Sequence, residues 1–166
     1  MNAPLPVLYA EDEENDAFLM QRAFRQLAIP NPLEIVADGK LAVEYLLGTG
    51  AYSDRHQHPM PCLVLLDLNM PGKSGLDVLK WLRAHPPIST LPVVVLTSSN
   101  QQTDIHRAYL QGANGYLIKP GKPNELLAMV KGINDYWLTQ NRNPSPYVDL
   151  AAGGNPTDPD NAGKFP

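Results

Sequence analysis

Short apolar runs alternate along the chain with stretches in which apolar residues recur every three or four positions. The runs are Leu5–Ala10, Leu33–Ala37, Cys62–Leu66, Pro92–Leu96 and Gly115–Ile118, each rich in Val, Leu or Ile. The third and fourth show no polar alternation, the pattern of strands buried on both faces in a parallel sheet. Between the runs, the spacing predicts a helix from about Asn15 to Leu27, with Ala17, Met20, Phe24 and Leu27 on one stripe. A last helix opens at Pro123, a residue suited to the first helical position, and carries Leu126, Val130, Ile133 and Trp137. Shorter helices fit Lys40–Leu47, Leu76–His85 and Gln102–Gln111, the last ended by Gly112. Five such strand–helix units with right-handed crossovers predict an α/β fold, a doubly wound five-stranded parallel sheet with five helices on its two faces.

Composition narrows the class. The chain has 166 residues, 43% hydrophobic and 18% charged, which suits one globular domain. Apolar runs such as Leu63–Leu66 fall far short of the roughly 18 residues that cross a bilayer, and Met1–Pro6 lack the basic head and apolar stretch of a signal peptide. One cysteine, Cys62, excludes an internal disulfide and a multi-cysteine zinc site. A net charge of −4 argues against a nucleic-acid-binding face. A cytoplasmic protein with no membrane or nucleic-acid partner is therefore expected. Five of the 17 prolines lie in the last 23 residues, beside Gly153, Gly154 and Gly163. With few large apolar residues to offset ordering entropy, 144–166 is expected to be a flexible Pro/Gly-rich tail after a folded unit of 1–143.

In an open parallel sheet, chemistry belongs at the carboxyl ends of the strands. The first run ends in Glu11-Asp12, the third in Asp67, the fourth in Thr97-Ser98 and the fifth in Lys119-Pro120. A strand order of 2-1-3-4-5 would bring Glu11, Asp12, Asp67, Thr97 and Lys119 to one edge. Three clustered carboxylates repel one another, and a hard divalent cation such as Mg²⁺ (or Mn²⁺) offsets that repulsion. The Asn69 backbone carbonyl, two residues past Asp67, is placed to add a ligand. The set suits phosphoryl transfer to a carboxylate: Asp67 as nucleophile, Lys119 and Thr97 meeting the charge that develops.

These residues resemble the receiver domain of two-component response regulators. The resemblance rests on the acidic pair Glu11-Asp12, on Leu65-Leu66-Asp67-Leu68-Asn69-Met70-Pro71-Gly72, on Leu96-Thr97-Ser98 and on Tyr116-Leu117-Ile118-Lys119-Pro120. The intervals of 30 residues from Asp67 to Thr97 and 22 from Thr97 to Lys119 also agree. It covers about residues 5–138 and implies a flavodoxin-like fold. It implies that Asp67 accepts a phosphoryl group from the histidine of a sensor kinase, with Mg²⁺ held by Glu11, Asp12, Asp67 and the Asn69 carbonyl. Thr97 would be the switch hydroxyl, Lys119 the phosphate partner and Tyr116 the aromatic that turns inward on activation. It implies weak self-catalysed phosphotransfer and dephosphorylation rather than turnover as an enzyme, and a cis bond between Lys119 and Pro120. The long stretch Gly48–Pro61 and a last helix ending in Asn134-Asp135-Tyr136-Trp137-Leu138, with no effector domain after it, are similar to the stand-alone regulators that partner phytochrome kinases. Output would then be a protein contact, such as a homodimer through the fourth and fifth helices, with Tyr136 and Trp137 as interface candidates.

Two other classes fit part of the set. A Mg²⁺-dependent aspartate phosphatase usually carries a second aspartate two residues past its nucleophile, where this chain has Asn69, and its nucleophile usually follows the first strand. A receiver-like scaffold would bind partners without phosphate, but would not need the complete set of acids, Thr97 and Lys119. No glycine-rich phosphate loop follows a strand. Trp137 lies on the buried stripe of the last helix, which leaves Tyr136 as the better surface candidate. His56 and His58 read as solvated loop residues, His85 and His106 as helix surface, and Cys62 as packing.

Overall fold

Runs of Val and Leu with no polar side require cover on both faces, and the strands built from them have it. The computed structural model describes residues 3–144. In it β1 (Val7–Ala10), β3 (Leu63–Leu66) and β4 (Val93–Thr97) are buried at every position, whereas β2 (Leu33–Val36) and β5 (Gly115–Ile118) are mostly half-covered. All neighbours pair in parallel, in the order β2-β1-β3-β4-β5, as expected. The half-covered strands are the two edges.

Because side chains alternate along a strand, each strand feeds two cores. Tyr9, Leu65 and Leu96 pack with Met20 and Phe24 of α1 (Glu14–Gln26) and with Val130 and Ile133 of α5 (Pro123–Ile133). Leu8, Val64 and Val95 pack with Tyr45 of α2 (Gly39–Leu47), Val78 and Leu82 of α3 (Gly75–Arg83) and Ala108 of α4 (Gln102–Leu110). Each fully buried Leu, Val or Phe contributes about 1.5–3 kcal/mol, so the two cores hold both helix layers to the sheet.

Three local features differ from the sequence expectation. The last helix is not continuous to Trp137: α5 ends at Ile133, and a wider π-helical turn, Asn134–Gln140, follows. The Asn141 N–H closes it on the Tyr136 carbonyl at 2.7 Å. Trp137 still packs in the core of the α1/α5 face, against Gly115. A stripe at steps of 4, 3 and 4 is compatible with either winding, so periodicity alone does not reveal the change. The Lys119–Pro120 bond is trans rather than cis. The Lys119 N–H donates to the Thr97 carbonyl at 2.8 Å, which carries the β4–β5 pairing through Lys119. Finally, His58 is half-buried, its ring set edge-on to Tyr45 at 5.9 Å and Tyr52 at 5.2 Å. Arg55 folds this loop back, donating to the carbonyls of Tyr45 at 2.7 Å, Leu46 at 2.6 Å and His58 at 3.1 Å. The expected tail falls, past Pro144, outside the described residues. Among the described residues no helix is long and apolar enough to cross a membrane.

Candidate functional site

The sheet pairing runs one residue past the strands at their carboxyl edge. Glu11 N–H donates to the Val36 carbonyl at 3.0 Å, and Asp67 N–H to the Ala10 carbonyl at 3.1 Å. With Lys119 tied to Thr97 in the same way, the side chains that follow β1, β3 and β5 are fixed by backbone rather than left to loop motion.

Glu11, Asp12 and Asp67 each offer an oxygen, and these three oxygens lie within 4.8 Å of one another. Glu11 and Asp67 are only 2% and 4% exposed, so water screens their repulsion poorly. One oxygen of this group, Asp12 Oδ1, is buried without any hydrogen-bond partner. An orphaned carboxylate oxygen beside two other carboxylates is costly, and it fits a hard divalent cation that takes oxygen ligands. The donor set is all oxygen, which suits Mg²⁺ or Mn²⁺ and not a soft metal.

Lys119 supplies the positive charge that is present. Its ammonium pairs with Glu11 Oε2, and it lies 3.0 Å from Asp67 Oδ2 and 3.0 Å from Asp16 Oδ2. Burial works against this ammonium, but the Glu11, Asp16 and Asp67 carboxylates outweigh it and hold the group above the ordinary lysine pKa. Burial pushes the Glu11 carboxyl upward, opposed by Lys119, the Glu13 N–H and the Tyr9 hydroxyl. Those last two donate to Glu11 at 3.0 and 2.9 Å. Burial and the adjacent Glu11 in turn push the Tyr9 hydroxyl far above its usual range, so it stays a proton donor.

The loop after Asp67 is shaped by close approach. The Asn69 N–H donates to Asp67 Oδ1 at 3.2 Å, and Gly72 turns the chain with φ +72°. Gly75 opens α3 directly against this loop: a Cβ there would stand 2.1 Å from the Asp67 carbonyl oxygen. Ser74 caps the helix in a reciprocal pair with Asp77. Thr97 is fully buried at the end of β4, and its hydroxyl accepts from the Ser99 N–H at 3.4 Å. It makes no hydrogen bond to Asp67. The Tyr116 hydroxyl donates to the Ser99 carbonyl at 2.9 Å, which links β5 to the segment that follows Thr97.

The edge thus brings Glu11, Asp12, Asp67 and Lys119 into one cluster, with Asn69 bonded to it and Thr97 and Tyr116 joined to each other through Ser99. Tyr136 and Trp137 lie apart, in the π-helical turn, with Tyr136 51% exposed. Sequence reasoning missed Asp16, Tyr9 and Gly75. Asp16 carried a readable signal, since it lies in the first turn of the helix that directly follows Glu11-Asp12 and so stays near the same edge. Tyr9 precedes Glu11 by two in a strand, on the same face. Gly75 carried none, because its role depends on a contact with a different segment.

Comparison with known proteins agrees with this geometry. A family model described as the response regulator receiver domain matches residues 7–131. The chain is 38% identical over 143 residues to the probable methanogenesis regulatory protein FilR2 of Methanothrix harundinacea, covering 86% of this chain and 90% of that one. It is 37% identical over 137 residues to the response regulator Rcp1 of Synechocystis, covering 82% and 91%. A crystal structure of the Mn²⁺-bound form of Rcp1 superposes with a TM-score of 0.77 at 36% identity, over 86% of this chain and all of that one. The phosphorylated cyanobacterial phytochrome response regulator RcpA superposes with a TM-score of 0.80 at 35% identity, with the same coverage.

Proposed function

The chain belongs to the response regulator receiver family, and from that membership we propose that Asp67 is the residue that accepts the phosphoryl group. It is a signalling protein of two-component systems rather than an enzyme that turns over a substrate. The observation that carries the assignment of Asp67 is its position between two kinds of charge. On one side are the carboxylates of Glu11 and Asp12, and on the other the Lys119 ammonium at 3.0 Å. Glu11 shares both, but its oxygens are also taken by the Tyr9 hydroxyl and the Glu13 N–H, which leaves Asp67 the freer carboxylate of the two.

The donor is the phosphohistidine of a sensor kinase. An Asp67 carboxylate oxygen attacks phosphorus, the P–N bond to the imidazole breaks, and the histidine leaves with its nitrogen lone pair. Glu11, Asp12, Asp67 and the Asn69 carbonyl would hold Mg²⁺, which when bound supplies charge to the phosphoryl oxygens. Lys119 is aimed at the same oxygens and donates to the charge that builds on them. Tyr9 and the Glu13 N–H keep Glu11 in place. Water attacking the acyl phosphate reverses the modification slowly, without a second protein.

The modified Asp67 carries nearly two negative charges. The Thr97 hydroxyl then turns to a phosphoryl oxygen, and the Ser99 segment and Tyr116 move with it. The surface of α4, β5 and the end of α5 changes as a result. Exposed there are Tyr109, Leu110 and Ile118, and in the π-helical turn Tyr136, which sits edge-on to Trp137; these apolar groups suit contact with a second copy. Shifting such an equilibrium from 1:99 to 99:1 takes about 5.5 kcal/mol. Charge-assisted hydrogen bonds at roughly 1.5–3 kcal/mol each supply it. The likeness to Rcp1 and RcpA supports a phytochrome-type kinase as the partner, in the cytoplasm. We assign the receiver unit to 1–143; residues past 144 lie outside the described residues.

The test is intact mass after incubation with Mg²⁺ and a small acyl-phosphate donor, beside Asp67→Asn. One Mg²⁺-dependent phosphoryl adduct that vanishes in the variant supports the assignment. An adduct that persists places the nucleophile elsewhere.

A further inference from the structure

The Lys119 ammonium has three N–H groups, and three carboxylates surround it: Glu11, Asp16 and Asp67. Its donors are therefore fully engaged. It can meet an incoming phosphoryl oxygen only by giving one of them up. Glu11 is a poor candidate, since its side chain is fully buried and is also held by Tyr9 and the Glu13 N–H. Asp67 is the group being modified. Asp16 differs from both, because its side chain is 37% exposed on the first turn of α1 and water can replace the lysine there at little cost.

We propose that Asp16 is a positioning residue that acts through Lys119: it holds the ammonium while Asp67 is unmodified and releases it to the phosphoryl group. This rests on the reading of Asp67 as phosphoacceptor. It makes Asp16 a restraint on modification. Its carboxylate competes with the phosphoryl oxygens for one N–H, and its negative charge opposes an anionic donor at the same edge. Its oxygen is engaged with Lys119 rather than facing the cluster formed by Glu11, Asp12 and Asp67.

The experiment compares the wild-type chain with Asp16→Ala, Asp16→Glu and Asp67→Asn, each first shown to melt cooperatively. Three quantities are measured: the initial rate of phosphorylation by an acyl-phosphate donor at saturating Mg²⁺, the beryllofluoride concentration for half-maximal thermal stabilisation, and the Mg²⁺ affinity by calorimetry. Loss of a partly exposed charge pair predicts an Asp16→Ala rate about fivefold above wild type, and tighter beryllofluoride binding by a similar factor. Mg²⁺ affinity should stay within about twofold, and Asp16→Glu should return both other values toward wild type. A rate that is unchanged or lower in Asp16→Ala overturns the proposal. So does a change that simply follows a loss of Mg²⁺ affinity, which would make Asp16 part of the metal site. If instead Asp67→Asn is still labelled, the reading of Asp67 fails first, and beryllofluoride binding alone then decides whether Asp16 restrains Lys119.

Discussion

Lys119 lies 3.0 Å from Asp67 while also pairing with Glu11, so one ammonium bridges the buried carboxylates that follow β1 and β3 and offsets part of their charge. This gives Lys119 two roles with opposite effects on a cation. It attracts a phosphoryl oxygen, and it repels a divalent metal. Replacing it with Met should separate the two. Mg²⁺ should bind Lys119→Met several-fold more tightly, because a positive charge has left the site. Phosphorylation should fall by about a hundredfold, the usual loss when one preorganised donor is removed from developing charge. Without metal the variant should be less stable by about 3–5 kcal/mol, because Glu11 loses its partner in a buried site. Calorimetry, intact mass and urea melts check the three effects. Weaker Mg²⁺ binding together with intact labelling would contradict this account of the charge.

Gly75 and Asp67 meet through backbone. A Cβ at Gly75 would stand 2.1 Å from the Asp67 carbonyl oxygen and 2.8 Å from the Leu68 Cα, neither of which is a flexible side chain. Gly75→Ala should therefore displace the loop after Asp67, costing about 1–3 kcal/mol. Its labelling rate should drop even at temperatures where the variant is fully folded. A variant as stable as wild type and labelled as fast would show that the loop yields freely.

These two sites illustrate what could be read from the chain and what could not. The strands end sharply in polar residues, so Glu11, Asp67, Thr97 and Lys119 could each be assigned to the carboxyl edge from local pattern. The order of the strands then brought them together. Which carboxylates Lys119 selects was not readable, because that depends on side-chain reach from β5 across to β1 and α1. The fit of Gly75 against Asp67 and the folding of His58 between Tyr45 and Tyr52 depend in the same way on contacts between segments. The π-helical turn after Ile133 escaped for a different reason: it shifts the winding by one residue without moving Trp137 off the buried face.

Ser74 and Asp77 form a reciprocal cap at the start of α3, next to the Asp67 loop. The Ser74 hydroxyl accepts from the Asp77 N–H at 3.2 Å, and the Ser74 N–H donates to Asp77 Oδ2 at 3.1 Å. Ser74→Ala should cost about 0.5–2 kcal/mol at neutral pH. The hydrogen bonds from the Ser74 hydroxyl and N–H hold the Asp77 carboxyl below the ordinary aspartate pKa. A carboxyl lowered on folding contributes stability above its unfolded pKa and loses it as pH falls through its folded pKa. The difference between wild type and Ser74→Ala should therefore be largest near neutrality and shrink as the solution is acidified below the aspartate range. Urea melts at several pH values measure it; a penalty independent of pH would mean that the charge on Asp77 plays no part in the cap.

Tyr116 hydrogen-bonds to neither Asp67 nor Lys119; its hydroxyl donates to the Ser99 carbonyl, two residues past Thr97. A change at Thr97 would thereby reach β5, whose Ile118 is exposed. Tyr116→Phe removes the hydrogen bond and nothing else, at a cost of about 0.5–1.5 kcal/mol. If the coupling runs through it, labelling of Asp67 should stay within about twofold of wild type, since the reacting groups are untouched. Phosphorylation-dependent self-association should weaken, because the modified state no longer gains a defined position for the Ser99 segment. Sedimentation velocity with and without the phosphoryl group reads this directly. Equal association of wild type and Tyr116→Phe after labelling would remove Tyr116 from the signal path, leaving Thr97 to act on α4 alone.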